Sequence, residues 1–258
     1  MKLLLLFTIL LTETVFAQQR LIMVGGGKRT PDVLSKIVEW SGGEKSKLLI
    51  ITWASGEPQA SFESIKKDFS TVSKIDVDAA PFSPLNEEKK AKLIQQIQSA
   101  NGIFFTGGDQ NRIMEVLKDG ELYALFHQKY KEGVLMSGTS AGTAIMSEIM
   151  ITGEGDITVI NGEKMETKKG LGFLTSSIVD QHFIKRQRQN RLIGLILKYP
   201  NLLGIGIDEN TALVVENNKK ASVLGESKVM VFQKLKHKNE MKFTILEKGE
   251  TFDLNRRK

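Results

Sequence analysis

The stretch V-L-M-S-G-T-S-A-G at residues 134–142 decides the fold. An apolar run, Val134–Met136, leads into a G-x-S-x-G turn, and helix-like residues follow over 141–147. A strand, a sharp turn and a helix in this order form the context in which such a motif exposes a serine hydroxyl at the end of a strand. The alternative is an ordinary turn rich in glycine and serine. The context favours Ser140 as a nucleophile, with the N–H group of Ala141 at a helix N-terminus able to stabilise an oxyanion.

Apolar runs alternate with helix-like segments on both sides of this motif. Strands are predicted at Leu21–Val24, Leu48–Thr52, Ile75–Val77, Ile103–Phe105 and Val134–Met136. Continuous apolar runs joined by helices indicate an α/β fold with a mostly parallel sheet flanked by helices. After about Thr152 the pattern changes, and antiparallel additions are predicted at Leu203–Ile207, Ala212–Val215, Val229–Phe232 and Phe243–Leu246. We find no linker or repeat, so residues 18–258 are expected to form a single catalytic domain.

The composition excludes several classes of protein. A chain of 258 residues with 41% hydrophobic residues can bury a large core and needs no crosslinks to fold. The sequence contains no cysteine, which excludes disulfides, thiolate nucleophiles and cysteine-ligated metals. We expect no metal and no cofactor.

The net charge of +6 is concentrated at the C-terminus. Residues 217–258 contain 11 Lys or Arg and 5 Asp or Glu, which accounts for the whole excess. A nucleic-acid enzyme usually carries its positive field around the working cleft. We therefore expect a solvated basic tail at about residues 233–258 and no nucleic-acid partner.

Residues 1–17 have the pattern of a secretory signal peptide. Lys2 precedes an apolar run, and small residues end the segment at Ala17, before two glutamines. The apolar run is too short to span a bilayer. The alternative is a buried first strand. We expect cleavage after Ala17, a protein that is secreted or periplasmic, and no contact with the membrane after cleavage.

A glycine loop follows the first predicted strand. Gly25–Gly26–Gly27–Lys28 lies between a strand and a helix, where phosphate-binding loops occur. Its spacing matches neither the P-loop nor the dinucleotide-binding fingerprint. We interpret these glycines as turn and close-approach positions beside a cleft.

A serine nucleophile needs a base, and the sequence offers three histidines. His127 lies in a helix-like run and His237 in the lysine-rich C-terminal segment. His182 follows the apolar pair Ile178–Val179, which places it at the end of a strand. Elimination therefore selects His182 as the base.

The carboxylate that would orient His182 is open from the residues alone. Glu209 and its neighbour Asp208 follow a predicted strand, and Glu154 and Asp156 follow the nucleophile helix. The order serine, histidine, acid differs from the order in α/β-hydrolases, which disfavours a lipase-type esterase.

A cationic run follows the base. Lys185, Arg186, Arg188, Arg191 and Lys198 occur with no acidic residue between Phe183 and Ile207. Three arginines near a helix start can converge on one ligand, and guanidinium groups bind carboxylates bidentately. The alternative is a solvated basic helix face. We expect the arginines to recognise an anionic substrate.

Four motifs together resemble the cyanophycinases, the serine β-aspartyl peptidases of family S51, to which aspartyl dipeptidase is related. They are Thr106–Gln110, Gly138–Gly142, the Asp180–Phe183 run with its arginines, and Gly206–Ala212. The resemblance runs from about Leu21 to Val231. It implies a class I glutamine-amidotransferase-like fold. Amidotransferases of that fold use cysteine where this chain has serine, so their activity is disfavoured.

The resemblance also implies roles for individual residues. Ser140 would be the nucleophile, His182 the general base and Glu209 the orienting carboxylate, while the N–H groups of Gly108 and Ala141 would form the oxyanion hole. The positions that match substrate-holding residues of the family are Gln110, Asp180, Gln181, Arg186, Arg188 and Arg191.

The implied reaction is hydrolysis of β-aspartyl bonds, with cyanophycin cleaved to β-Asp-Arg dipeptides through an acyl-enzyme. The partner is a peptide substrate with a β-linked aspartate, and we allow for a homodimer. The alternatives are an isoaspartyl or aspartyl dipeptidase of the same family, and a non-catalytic binding paralogue.

Overall fold

The structure is a computed structural model that describes residues 17–235 and 240–255. The predicted signal peptide, residues 1–17, lies outside these described residues apart from Ala17. Its cleavage and the location of the protein therefore stay predictions.

Most of the helices lie in the first half of the chain, where they alternate with strands. The helices are α1 Pro31–Trp40, α2 Pro58–Ser70, α3 Glu87–Ser99, α4 Gln110–Val116, α5 Gly120–Lys131, α6 Ala141–Ala144 and α7 Gln189–Lys198, with 3₁₀ turns at Gly43–Lys45 and Gly162–Lys164. None of the helices in the described ranges combines the length and the apolar character needed to cross a lipid bilayer.

Strands continue to the C-terminal end of the described chain. They are β1 Arg20–Val24, β2 Lys47–Ile51, β3 Asp76–Ala79, β4 Gly102–Phe105, β5 Leu135–Thr139, β6 Ile149–Gly155, β7 Met165–Lys169, β8 Ser177–Gln181, β9 Leu203–Ile207, β10 Thr211–Glu216, β11 Lys220–Gly225, β12 Val229–Lys234, β13 Met241–Leu246 and β14 Thr251–Asp253.

An eight-stranded sheet forms the centre of the fold, in the order β14-β11-β10-β1-β5-β4-β2-β3. Five neighbouring strands, β1-β5-β4-β2-β3, are parallel to one another. At the other edge of the sheet, β10, β11 and β14 add antiparallel strands. The predicted α/β fold with C-terminal antiparallel additions is confirmed.

The central strands of this sheet, β1, β2, β4 and β5, are buried on both faces, which explains their continuous apolar runs. In β1, Ile22 and Val24 pack with α1 and α2 residues such as Val33 and Phe62. The alternate residues Leu21 and Met23 belong to the core cluster on the opposite face. Because successive side chains point to opposite faces, a strand covered on both sides is apolar at every position.

A second sheet has the order β13-β12-β9-β8, and β6 pairs with β7 in a separate hairpin. The prediction that Leu203–Ile207 is an antiparallel addition is wrong in part. This strand, β9, runs parallel to β8 and antiparallel to β12. The reason is that β8, α7 and β9 form a βαβ unit, whose strands must run parallel.

Within the described residues 240–255, the basic C-terminal segment is partly paired in strands. Met241–Leu246 pairs with β12, and Thr251–Asp253 pairs with β11. The solvated tail expected at about residues 233–258 is corrected accordingly, because strand pairing satisfies the backbone over much of this segment. Charge alone could not reveal that pairing.

Candidate active site

Ser140 lies at a sharp turn between β5 and α6. Its φ of 52° and ψ of −110° are strained for a residue with a side chain. The turn is tight because the glycines on either side of it touch. A Cβ atom added at Gly138 would lie 2.6 Å from the carbonyl carbon of Gly142. The sharp turn predicted from G-x-S-x-G is confirmed.

The carbonyl of Val24 fixes this turn from the neighbouring strand. It accepts the N–H group of Ser140 at 3.0 Å and the hydroxyl of Thr143 at 2.6 Å. Thr143 is completely buried and also donates to the carbonyl of Gly138 at 3.0 Å. Sequence reasoning missed this support from Thr143, because nothing in the local pattern distinguishes it from an ordinary helix residue.

Two backbone segments flank the Ser140 side chain where an oxyanion hole was predicted. A Cβ atom on Gly107 would lie 3.3 Å from Cβ of Ser140, so the turn after β4 adjoins the nucleophile. Gly108, the next residue, has a φ of 135° and packs against the backbone of Ala54. Ala141 is the first residue of α6, where an N–H group has no acceptor within the helix. The structure brings both segments to Ser140, and their role as oxyanion donors stays a prediction.

His182 follows β8 and is held by the glycine loop after β1. Its N–H group donates to the carbonyl of Gly25 at 2.7 Å, and the residue is 7% exposed. A Cβ atom on Gly26 would lie 2.2 Å from the imidazole ring. Only glycine permits this approach, so the interpretation of residues 25–27 as close-approach positions is confirmed.

Ser140, His182 and Glu209 form one hydrogen-bonded chain. Nε2 of His182 lies 2.8 Å from Oγ of Ser140, and Nδ1 lies 2.7 Å from Oε1 of Glu209. A carboxylate only accepts, so Nδ1 carries the proton and Nε2 is free to accept one from the serine.

The other carboxylates considered from the sequence are engaged elsewhere. Asp208 accepts backbone N–H groups of the turn after His182. Asp156 accepts the N–H group and the hydroxyl of Thr158, and Glu154 is exposed on β6. Among these four acids, the structure brings Glu209 to the imidazole.

The surroundings of His182 favour the neutral imidazole. Burial lowers its pKa below the ordinary value of 6.5, and the positive charges of Arg186 and Arg188 lower it further, while Glu209 opposes the shift. A neutral imidazole at neutral pH can act as a general base.

We expect an NMR titration to give His182 a pKa below 6.5. Arg186→Gln should raise that pKa, because it removes a positive charge that disfavours the imidazolium. Lys118→Gln, which removes a charge from an exposed side chain at the end of α4, is the control and should leave it unchanged. A pKa at or above 6.5 in the wild type, or no upward shift in Arg186→Gln, would contradict this electrostatic description.

The three arginines after His182 occupy different environments. Arg191 is 2% exposed and pairs with Asp180, which is 1% exposed, through Nε at 2.6 Å and through a second guanidinium nitrogen. Arg188 donates to the side chain of Gln181 and, at 2.7 Å, to its carbonyl. Burial lowers the pKa of Arg188 to about 10, which leaves it charged at neutral pH. Arg186 is exposed.

This arrangement differs from three arginines on one open face. The charge of Arg191 is neutralised internally by Asp180. Oδ1 of Asp180 also accepts the N–H group of Gln181 at 2.8 Å and lies 3.4 Å from a guanidinium nitrogen of Arg188. Arg186 is the arginine most open to a ligand. Direct contact of any of these residues with a substrate stays a prediction.

Gln110, the remaining predicted substrate-binding residue, is 6% exposed at the start of α4. Its Nε2 atom donates to the carbonyls of Ile151 and Thr152, both at 2.7 Å. The amide group therefore ties β6 to the segment that carries Gly107 and Gly108, and a contact with substrate stays a prediction.

Comparison with known proteins gives consistent matches. Residues 21–223 match the model of peptidase family S51. The chain is 31% identical to the cyanophycinase of Trichormus variabilis, over 95% of this chain and 89% of the relative. It is 32% identical to the cyanophycinase of Synechococcus elongatus, over 82% of this chain and 67% of the relative.

A solved structure shares the fold. The crystal structure of a peptidase from an acI-B1 actinobacterium superposes with a TM-score of 0.69 at 22% identity, over 92% of this chain and 97% of the other. The family match runs from β1 into β11 and includes every residue of the Ser140–His182–Glu209 chain, so this protein belongs to peptidase family S51 and is a hydrolase.

Proposed function

We propose that the protein hydrolyses β-aspartyl peptides, and that its substrate is cyanophycin, which it cleaves between its units to β-Asp-Arg dipeptides. The observation that carries the proposal is the chain from Ser140 Oγ through His182 to Glu209, with contacts of 2.8 and 2.7 Å. The curated relatives at 31–32% identity are named cyanophycinase, which supports the choice of substrate.

The geometry supports an acyl-enzyme mechanism. Oγ of Ser140 attacks the carbonyl carbon of the scissile amide, which joins one β-Asp-Arg unit to the next, while Nε2 of His182 takes its proton. The N–H groups of Gly108 and Ala141 would stabilise the negative charge on the carbonyl oxygen. His182 then protonates the leaving amine, and the bond to nitrogen breaks. Water, activated in turn by His182, hydrolyses the ester and releases the serine.

The arginines supply a reason for specificity. Each β-Asp-Arg unit presents a free carboxylate on its arginine. Arg186 is exposed and the side chain of Arg188 is 12% exposed, so both can approach such a group. A cationic pocket discriminates because a substrate without the carboxylate loses a charge-assisted bond to a guanidinium group.

Incubation of the purified protein with cyanophycin tests the proposal. We expect mass spectrometry to detect β-Asp-Arg dipeptides, and we expect short peptides built of β-Asp-Arg units to be cleaved between the units in preference to their α-linked isomers. The α-linked isomer is the matched control, since it differs only in the position of the carboxylate. Equal cleavage of both isomers would contradict the specificity. Cleavage of short β-aspartyl peptides without cyanophycin would favour an isoaspartyl dipeptidase.

We further propose that the enzyme is exported and acts outside the cytoplasm. The support is the pattern of residues 1–17, with a cation, an apolar run and a small residue before the polar break. N-terminal sequencing of protein from the producing cell should start at Gln18. A start at Met1 or Lys2 would contradict export by this route.

A further inference from the structure

Asp208, directly before Glu209, makes contacts that the mechanism does not use. It is 8% exposed. Its Oδ1 atom accepts the N–H groups of Ile184 at 3.1 Å and Lys185 at 2.9 Å. Its Oδ2 atom accepts the hydroxyl of Ser227 at 2.7 Å. A carboxylate that accepts consecutive N–H groups makes charge-assisted bonds, which are stronger than bonds between neutral groups.

The segment that Asp208 holds connects the base to the arginines. His182 has a φ of 49°, and its carbonyl accepts the N–H group of Arg186 at 2.9 Å. The carbonyl of Phe183 accepts the N–H group of Arg188 at 3.0 Å. Residues 182–188 therefore form a compact turn, and movement of that turn would displace the imidazole and both guanidinium groups together.

Two adjacent carboxylates thus hold this turn at two points. Glu209 binds the imidazole ring at 2.7 Å, while Asp208 binds the backbone two and three residues further on. Ser227 supports Asp208 from the loop between β11 and β12, and its own N–H group donates to the hydroxyl of Thr211 at 2.8 Å. The turn is anchored to two neighbouring loops.

We propose that Asp208 is a positioning residue, which sets the place of His182 and of Arg186 and Arg188 by anchoring the turn between them. It contacts the backbone and Ser227 and does not touch the reacting atoms. The inference rests on the proposed function for its kinetic test and on the geometry alone for its spectroscopic test.

The kinetic test compares Asp208→Ala with Asp208→Asn on a β-aspartyl peptide. Asp208→Ala should lower kcat/KM by about 10- to 100-fold, because small displacements of catalytic groups are costly. The loss should include both a lower kcat, from the displaced imidazole, and a higher KM, from the displaced arginines. Asp208→Asn keeps an oxygen that can accept the same N–H groups and should recover most of the activity. Asp76→Ala, an exposed aspartate on β3, is the control for a lost carboxylate.

The spectroscopic test needs no turnover. The proton between Nδ1 of His182 and Glu209 should give a downfield NMR signal in the wild type and in Asp208→Asn. The signal should be broadened or lost in Asp208→Ala. If Asp208→Ala does not fold, Ser227→Ala, which loses one support of Asp208, should show a weaker form of the same changes.

The proposal is overturned if Asp208→Ala has wild-type kinetics and an unchanged NMR signal. If Asp208→Ala does not fold, the same result in Ser227→Ala overturns it. Loss in Asp208→Asn as large as in Asp208→Ala would overturn it too, since the anchoring bonds are kept in the amide. If the wild type hydrolyses no β-aspartyl peptide, the proposed function fails, and the NMR comparison still decides the role of Asp208.

Discussion

Ser140→Ala is expected to lower kcat by about 10⁶-fold, the size of the loss found when the nucleophile of a serine protease is removed. The loss is large because no other group in the described site lies where Oγ does, 2.8 Å from the imidazole nitrogen that accepts the proton. Substrate binding should persist, because the arginines and the backbone donors are unchanged. Kinetics on a β-aspartyl peptide, with calorimetric titration of binding, measure the two effects.

Ser64→Ala provides the matched control, since this serine is exposed on α2 and distant in sequence from the site. Its kinetics should equal those of the wild type. Circular dichroism should show that Ser140→Ala is folded, because Oγ is lost from a turn that Val24 and Thr143 hold independently. Substantial residual turnover in folded Ser140→Ala would contradict a serine nucleophile.

Glu209→Gln should lower kcat by about 10³- to 10⁴-fold, as loss of the orienting carboxylate does in serine proteases. The amide cannot stabilise the imidazolium that forms during the reaction. Its NH₂ group can also donate to Nδ1, which would place the ring proton on Nε2 and block acceptance of the serine proton. The pH dependence of the remaining activity and the NMR signal of the ring proton report this change of tautomer.

The rival carboxylates are the controls for Glu209. Glu154→Gln and Asp156→Asn should retain activity close to that of the wild type, because the structure places neither acid in contact with His182. A large loss in either of them, together with near-normal activity in Glu209→Gln, would contradict the assignment of the third group.

The parallel sheet and the serine turn could be predicted from the sequence because their signals are local. A strand covered on both faces is apolar throughout, as Leu21–Val24 is, and a G-x-S-x-G turn between strand and helix has few other geometries. The role of His182 could also be predicted, because the sequence has only three histidines and one of them follows a strand-like run.

The rest depends on contacts between distant residues. Arg191 and Asp180 are 11 positions apart, and their pairing engages one of the three arginines expected to recognise an anionic substrate. The choice of Glu209 over Glu154 depends on the parallel pairing of β9 with β8, which brings Glu209 beside His182. Neither the pairing nor the contact of Gly26 with the imidazole has a local signature.

Labelling with a serine-reactive phosphonate, followed by mass spectrometry of the intact and digested protein, tests directly whether Ser140 is an activated nucleophile. We expect one phosphonyl group per chain, located on Ser140, and much slower labelling in His182→Ala. An unlabelled wild-type protein, or a label on another residue with Ser140 unmodified, would contradict this expectation.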